Sequence, residues 1–453
     1  MVSNALTIAK FGGTSVANYD AMQNCARIVK NNAATRIVVV SAAAGVTNHL
    51  VRLAHTPLTQ QQIEETCAAV TKIELTIVEK LANAMAVQPK LDDLLSELRM
   101  LAFHEEILKR DDLKDQLLSL GERMSSLLFT EVLLEQNERA INFDVRKVLR
   151  TDSEFGEAAP DIDKIAEYAE AYIRPELNEA IVVTQGFIGS DEQGRTTTLG
   201  RGGSDFTAAL LAEGLGAEVC EIWTDVNGVY TTDPRITAAA KPLPELSFEE
   251  AAEMATFGAK VLHPATMEPA LRKNVRVFVG SSKEPEKGGT WLVKDCKEEP
   301  AFRAITRRKE QVMVTVKTPK MMYAQGFLQQ VFAIIAKHRL SVDLVTTSEI
   351  AVSFTLDNPA NSVAHRLNKE TIAELETLCE VKVEDGFDLV TVVGNHMHSA
   401  KGVSSQIFTA VAEFNLRMIC FGANPHNMSF LVNESDSSEI VRVLHRALFE
   451  TGQ

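Results

Sequence analysis

Short β-branched runs that end in small-residue turns, with helical spacing between them, constrain this chain more than any other feature. Residues 5–10 and 36–40 read as strands, and Tyr19–Asn31 between them places Met22, Cys25, Ala26 and Val29 on one helical face. This strand–helix–strand rhythm predicts a mostly parallel sheet covered by helices on both faces, an α/β architecture. Residues 60–135 carry Leu-rich amphipathic segments, and strands resume at 180–185, Val219–Thr224 and 275–280. Ligands of open α/β sheets lie at the carboxyl ends of strands, so the loops after these strands are where chemistry is expected.

Near residue 285 the texture changes. Residues 283–289 are rich in Pro, Gly and charge and read as a linker. Beyond it lies a weak internal repeat of the ferredoxin-like βαββαβ pattern. The first unit runs strand 311–317, helix 326–338, strands 341–347 and 351–356, helix 363–378, strand 380–384. The second runs strand 389–393, helix 403–413, strands 417–421 and 428–432, helix 437–449, one strand short. Residues 302–307 are strand-like and fill that gap if the first module is inserted within the second. The expected domains are therefore 1–295, 309–385, and 386–453 with a strand from about 301–307. A chain of 453 residues accommodates about three domains.

Charge narrows the partners. The 46 basic against 61 acidic residues leave −15, which argues against nucleic-acid or anionic-membrane binding, since both need a cationic surface. A nucleotide needs only a local cluster of donors. The six cysteines are scattered without a CxxC pair, which disfavours a zinc site or disulfide framework and suits a reducing compartment. Lys10 interrupts the N-terminal apolar stretch, so no secretory leader is expected, and the longest apolar run, 37–46, is too short to span a bilayer. A cytoplasmic protein is expected.

Lys10-Phe11-Gly12-Gly13-Thr14-Ser15 ends the first strand. Paired glycines let backbone N–H groups approach an anion, and Lys10 can sit on a phosphate; a plain strand-to-helix turn is the alternative. No Walker motif is present. The stretch Thr196-Thr197-Thr198-Leu199-Gly200-Arg201-Gly202-Gly203-Ser204-Asp205 precedes a helical run over 206–212. It combines a helix N-terminus suited to carboxylate or phosphate, a bidentate arginine, and an aspartate able to hold Mg²⁺ or orient Lys10. Helix capping would explain Ser204 and Asp205 but not the three glycines and Arg201. Ser41 and Thr47 flank a small-residue turn after the second strand. Glu122 stands at the start of an expected helix over 124–134, where it could accept from a substrate ammonium, although the helix dipole alone accounts for it. Trp223–Arg235 combines an Asn227-Gly228 turn, Tyr230 for stacking and Arg235 for phosphate, with a β-hairpin as the alternative. Phe257-Gly258-Ala259-Lys260-Val261-Leu262-His263-Pro264 adds a second candidate phosphate lysine.

Together these segments resemble the aspartate kinase family, whose KFGGTSV, TTTLGRGGSD, WTDVNGVYTTDPR and FGAKVLHP segments occur here in order, and whose C-terminal ACT domains the repeat resembles. The resemblance implies an amino-acid-kinase catalytic domain that phosphorylates the side-chain carboxylate of L-aspartate from ATP with Mg²⁺. It assigns Lys10, Gly12, Gly13 and Asp205 to catalysis, and Ser41, Thr47, Glu122, Arg201, Gly202, Gly203 and Ser204 to aspartate. Thr224, Asp225, Tyr230, Arg235, Lys260 and Val261 would bind ATP. Ser341–Val345 and Thr346–Ile350 look most like the lysine-sensitive, single-function branch, and the end at Gln453 leaves no room for a fused homoserine dehydrogenase. An L-lysine effector site would then use Met321, Phe327, Leu328, Ser341, Val342, Asp343, Thr347, Ser348 and Glu349, with Asp343 and Glu349 facing its two ammonium groups. Ala324 departs from the serine expected in lysine-binding relatives. A homodimer through the ACT-like modules is expected. The alternatives are a kinase for another acidic substrate, such as glutamate or N-acetylglutamate, and an amino-acid sensor with a silent kinase lobe.

Overall fold

The computed structural model describes residues 6–259, 267–323, 325–357 and 367–450. It divides into two compact units, one of residues 1–229, 242–252 and 261–296, the other of 230–241, 253–260 and 297–453.

The strands before residue 300 are β1 (Thr7–Phe11), β2 (Thr35–Val40), β3 (Ala140–Phe143), β4 (Ile181–Gln185), β5 (Ile188–Ser190), β6 (Thr196–Thr198), β7 (Val219–Thr224), β8 (Glu245–Ser247), β9 (Arg276–Ser281) and β10 (Gly289–Val293). All but β5 and β6 form one sheet in the order β3-β4-β2-β1-β7-β9-β10-β8. It is parallel except where β9 meets β10. β5 and β6 make a separate antiparallel ribbon. β1 lies centrally and every one of its residues is buried, as a strand covered on both faces requires.

The helices of this part are α1 (Tyr19–Asn31), α2 (Val46–His55), α3 (Gln60–Val78), α4 (Ala84–Ala102), α5 (Asp111–Glu135), α6 (Ile162–Tyr168), α7 (Gly203–Leu215), α8 (Phe248–Thr256) and α9 (Met267–Lys273). In α1 the Asn18 side chain accepts from Ala21 N, and Met22, Cys25, Ala26 and Val29 point into the core. The 25-residue α5 buries residues on nearly every side, so it runs through the unit rather than over it.

Residues 283–289, expected as a linker, instead join two neighbouring strands of the sheet. Pro285–Lys287 is a 3₁₀ turn between β9 and β10, and a Cβ on Gly289 would approach Val279 O to 2.1 Å. The Pro, Gly and charge content there is the composition of a tight turn, which a linker shares.

The second unit contains β11 (Ala304–Lys317), α10 (Phe327–Lys337), β12 (Val342–Thr347), β13 (Ala351–Asp357), α11 (Lys369–Glu376), β14 (Glu380–Val393), α12 (Val403–Ala410), β15 (Leu416–Phe421), β16 (Asn427–Asn433) and α13 (Glu434–His445). The strands form one six-stranded sheet, β12-β13-β11-β14-β16-β15. β11 and β14 are long enough to serve both βαββαβ patterns: Ala304–Arg308 pairs with Val393–Leu389, and Gln311–Lys317 with Phe387–Glu380. Two apolar clusters back the sheet, one around Phe354 with Val331 and Ile335, the other around Phe430 with Ile407 and Ile440. Residues 363–366 of the helix expected over 363–378 lie outside the described residues. Among the described residues, no helix is long and apolar enough to cross a membrane.

Candidate active site

Lys10, next to last in the apolar strand β1, has a buried side chain, and its Nζ lies 2.5 Å from Asp205 Oδ1. Asp205 sits in the first turn of α7, which starts at Gly203 and not at Phe206. The helix N-cap is Gly202, at φ +73°, and among the described residues no side chain caps it. Capping therefore does not account for Ser204 or Asp205; both are inside the helix, beside its free N–H groups and positive dipole end. Gly202 is required there because an L residue pays a strain penalty at that φ. Arg201 is exposed and makes no hydrogen bond or ion pair among the described residues.

Two loops meet at the end of β1. Ala44 N donates to Gly13 O at 3.1 Å and Ser41 N to Phe11 O at 3.1 Å. A Cβ on Gly13 would sit 2.7 Å from Ala42 O, so glycine sets the spacing of the two loops. Gly12 N donates to Trp223 O at 3.0 Å. Ser41 is half-buried, while Thr47, the second residue of α2, is exposed.

Glu122 is not at a helix start. It lies in the middle of α5, so the dipole reading falls: helical spacing across 111–123 was masked by Asp, Lys and Gln on the outer face. Its buried carboxyl accepts from Ala42 N at 3.1 Å. Burial pushes its pKa up to about 7, opposed by the Ala42 N–H and by the charge of Lys10. Lys10, Asp205, Glu122 and the Ser41–Gly45 loop thus share one neighbourhood.

Thr224 and Asp225 close β7, joined by a 3.3 Å hydrogen bond from Thr224 Oγ1. The Asn227-Gly228 turn is shaped by β10: Val229 N donates to Thr290 Oγ1 at 2.8 Å, and a Cβ on Gly228 would lie 2.6 Å from that oxygen. Tyr230 and Arg235 belong to the second unit, within an excursion bracketed by Thr231 N to Lys241 O at 2.9 Å. Arg235 is engaged by Asp233 at 2.8 Å. Lys260, Val261 and His263 lie outside the described residues.

Of the expected effector residues, Met321, Phe327 and Val342 share one apolar cluster, with Phe327 opening α10. Leu328, Ser341, Thr347, Ser348 and Glu349 are exposed. Asp343 is not open on both sides: Arg308 Nη1 donates to its Oδ1 at 2.9 Å, while its buried Oδ2 has no hydrogen-bond partner among the described residues. Burial pushes the Asp343 pKa up, against the Arg308 charge. Ala324 lies outside the described residues.

Sequence reasoning missed Arg308, and also the Ser15–Ser282 contact (2.6 Å between hydroxyls) that ties the glycine turn to the end of β9. Ser282 Oγ also donates to Thr224 O at 3.2 Å. No local pattern signals partners 267 positions apart.

Among the described residues no cluster of three or more metal-binding side chains occurs. Asp205 has Lys10 as its one partner among them, which leaves carboxylate lone pairs for a cation otherwise held by phosphate oxygens.

The family model described as amino acid kinase family matches residues 5–281, and an ACT domain model matches 390–448. Lysine-sensitive aspartokinase 3 of Escherichia coli is 48% identical over 98% of this chain and 99% of its own length. The aspartokinase of Chlamydia pneumoniae is 32% identical over 97% and 96%. The crystal structure of E. coli aspartokinase III in complex with aspartate and ADP (R-state) superposes with a TM-score of 0.89 at 48% identity, covering 98% of this chain and 100% of that one. The same enzyme in complex with lysine and aspartate (T-state) gives 0.85 at 49% identity over 98% and 99%. On sequence and fold alike, this chain belongs to the amino acid kinase family and, within it, to the aspartokinases.

Proposed function

We infer that the chain is an aspartate kinase, converting ATP and L-aspartate to ADP and 4-phospho-L-aspartate. The observation that carries this reading is the ion pair of buried Lys10 with Asp205, set beside Glu122 and the N-terminus of α7. A side-chain carboxylate oxygen of aspartate attacks the γ-phosphorus, the bond to the β,γ-bridging oxygen breaks, and ADP leaves with the electron pair. The nucleophile has a free pKa near ~4 and is ionised at neutral pH, so no general base is needed. Positioning two anions and neutralising the transferred group is the whole task.

Lys10 places its ammonium on the transferred phosphoryl group, and Asp205 holds that ammonium in place. Asp205 is also the residue that would hold a phosphate-bound Mg²⁺, which when bound adds charge neutralisation. Arg201 offers a fork to the substrate α-carboxylate, with Gly202, Gly203 and Ser204 giving backbone N–H groups and a hydroxyl. Glu122 receives the α-ammonium, and Ser41 and Thr47 complete the pocket. Thr224 and Asp225 take ATP.

The effector proposed for the second unit is L-lysine, in line with the lysine complex of the E. coli enzyme. The edge strands β12 and β15 expose Val345, Ile419 and Phe421, which suits pairing with a second copy in a homodimer. The cytoplasm is the proposed compartment, and the reaction opens the route to lysine, threonine and methionine.

A coupled ADP-release assay with aspartate, glutamate and N-acetylglutamate tests the reading. Turnover on glutamate and none on aspartate refutes it. Lys10→Ala lowers kcat by about 10²–10³, the usual cost of one oriented charge on the reacting group; unchanged turnover contradicts the role of Lys10.

A further inference from the structure

We propose that Asp115 is a positioning residue that sets the Arg201 loop for the amino-acid substrate. This rests on the reading of Arg201 and Glu122 as aspartate-binding groups. Asp115 is buried on α5, two turns before Glu122 and on the same helical face. Its carboxylate accepts three hydrogen bonds: Thr198 N at 2.8 Å, Gly156 N at 2.9 Å and Thr198 Oγ1 at 2.9 Å. Burial pushes its pKa up to about 6 against those donors, so it is an anion at neutral pH and the bonds are charge-assisted.

Thr198 is the last residue of β6, and Leu199 to Gly202 follow it directly. Leu199 N donates to Phe187 O at 2.9 Å, and Ala158 N to Thr198 O at 2.9 Å. The Gly156 strap also underlies the loop, because a Cβ on Gly200 would lie 3.3 Å from Gly156 O. Past Leu199 the chain turns through Gly200 and Gly202, both at φ +73°, with Arg201 between them. Two left-handed glycines make a soft link, and Arg201 has no partner of its own among the described residues. The Asp115 anchor is thus what fixes the base from which Arg201 projects. One helix then serves both ends of the substrate: Glu122 directly at the ammonium, Asp115 through Thr198 and Arg201 at the carboxylate.

The alternative is that Asp115 only knits α5 to β6. A purely structural loss lowers the amount of active enzyme, and so apparent kcat, while leaving both KM values alone. The experiment measures KM for L-aspartate and for MgATP in the full chain carrying D115N, which keeps the shape but turns one acceptor into a donor, and in T198V, which removes only the hydroxyl bond. The expected result for D115N is a rise of about tenfold or more in KM for aspartate, since misplacing a binding group by about 1 Å is costly. KM for ATP stays within about twofold, and T198V shows a smaller rise of the same selectivity. Both KM values unchanged, or rising in parallel, in these variants overturns the proposal. If D115N yields no folded protein, T198V decides. Wild-type enzyme without aspartokinase turnover would overturn the functional reading itself, and this inference with it.

Discussion

Glutamine at position 122 keeps the size of the side chain and its ability to accept from Ala42 N, but cannot carry charge. In the wild type that carboxyl has a pKa of about 7, raised by burial and partly restored by Ala42 N and Lys10. Its ionised fraction is then about ten-elevenths at pH 8 and about one-eleventh at pH 6. If the carboxylate form receives the substrate ammonium, kcat/KM for aspartate in the wild type falls about tenfold from pH 8 to pH 6. E122Q loses that limb altogether. It also loses a hydrogen bond between charged partners, worth about 1.5–3 kcal/mol, or roughly 10–150-fold in kcat/KM for aspartate at pH 8. The assay is initial-rate ADP release at saturating MgATP with aspartate varied, from pH 5.5 to 8.5. A wild-type profile flat between pH 6 and 8, or an E122Q profile that keeps the limb, refutes the reasoning.

The G121A substitution opposes two effects. Alanine gains about 1 kcal/mol of helix propensity, but its Cβ would fall 2.6 Å from the Ala42 Cβ and crowd Val46 and Leu50. The clash lies against the substrate loop, so thermal unfolding shows destabilisation and activity falls; a more stable, fully active variant contradicts the packing described. Glu74 in α3 is fully buried with both carboxylate oxygens unpartnered among the described residues, and burial raises its pKa from 4.5 to about 8. The native state therefore holds a proton that the unfolded chain releases above about pH 4.5, and the wild type loses stability from there up to about pH 8. The loss is roughly 3 kcal/mol at pH 7. E74M removes this term, so its Tm advantage grows over that window by several degrees; parallel Tm–pH curves would sink the assignment. D343N, which takes the charge from the proposed effector site, raises the lysine concentration for half-inhibition at least about tenfold while uninhibited turnover stays within about twofold; unchanged inhibition removes Asp343 from that site.

The sheet and its site loops were legible because each rests on local chemistry. β-branched runs, glycines where backbones must approach, and a helix start are written within a few residues of one another. The same local signals misled where two structures share a composition. A tight β9–β10 turn reads like a linker, and a helix with a charged outer face reads as shorter than it is, which moved Glu122 to a terminus it does not occupy.

What the sequence determined by itself is the class of fold, the glycine-rich turns at strand ends and the residue types able to handle two anions. The tertiary structure alone decided which charges meet. Lys10 and Asp205 are 195 positions apart and become an ion pair because β1 and α7 pack together. Glu122 reaches Ala42 because α5 packs against the Ser41–Gly45 loop. Arg308 claims one oxygen of Asp343 because β11 carries it beside that carboxylate. Composition and spacing encode what each segment can do locally, whereas burial and proximity set pKa values and partners, and those exist only once the chain has folded.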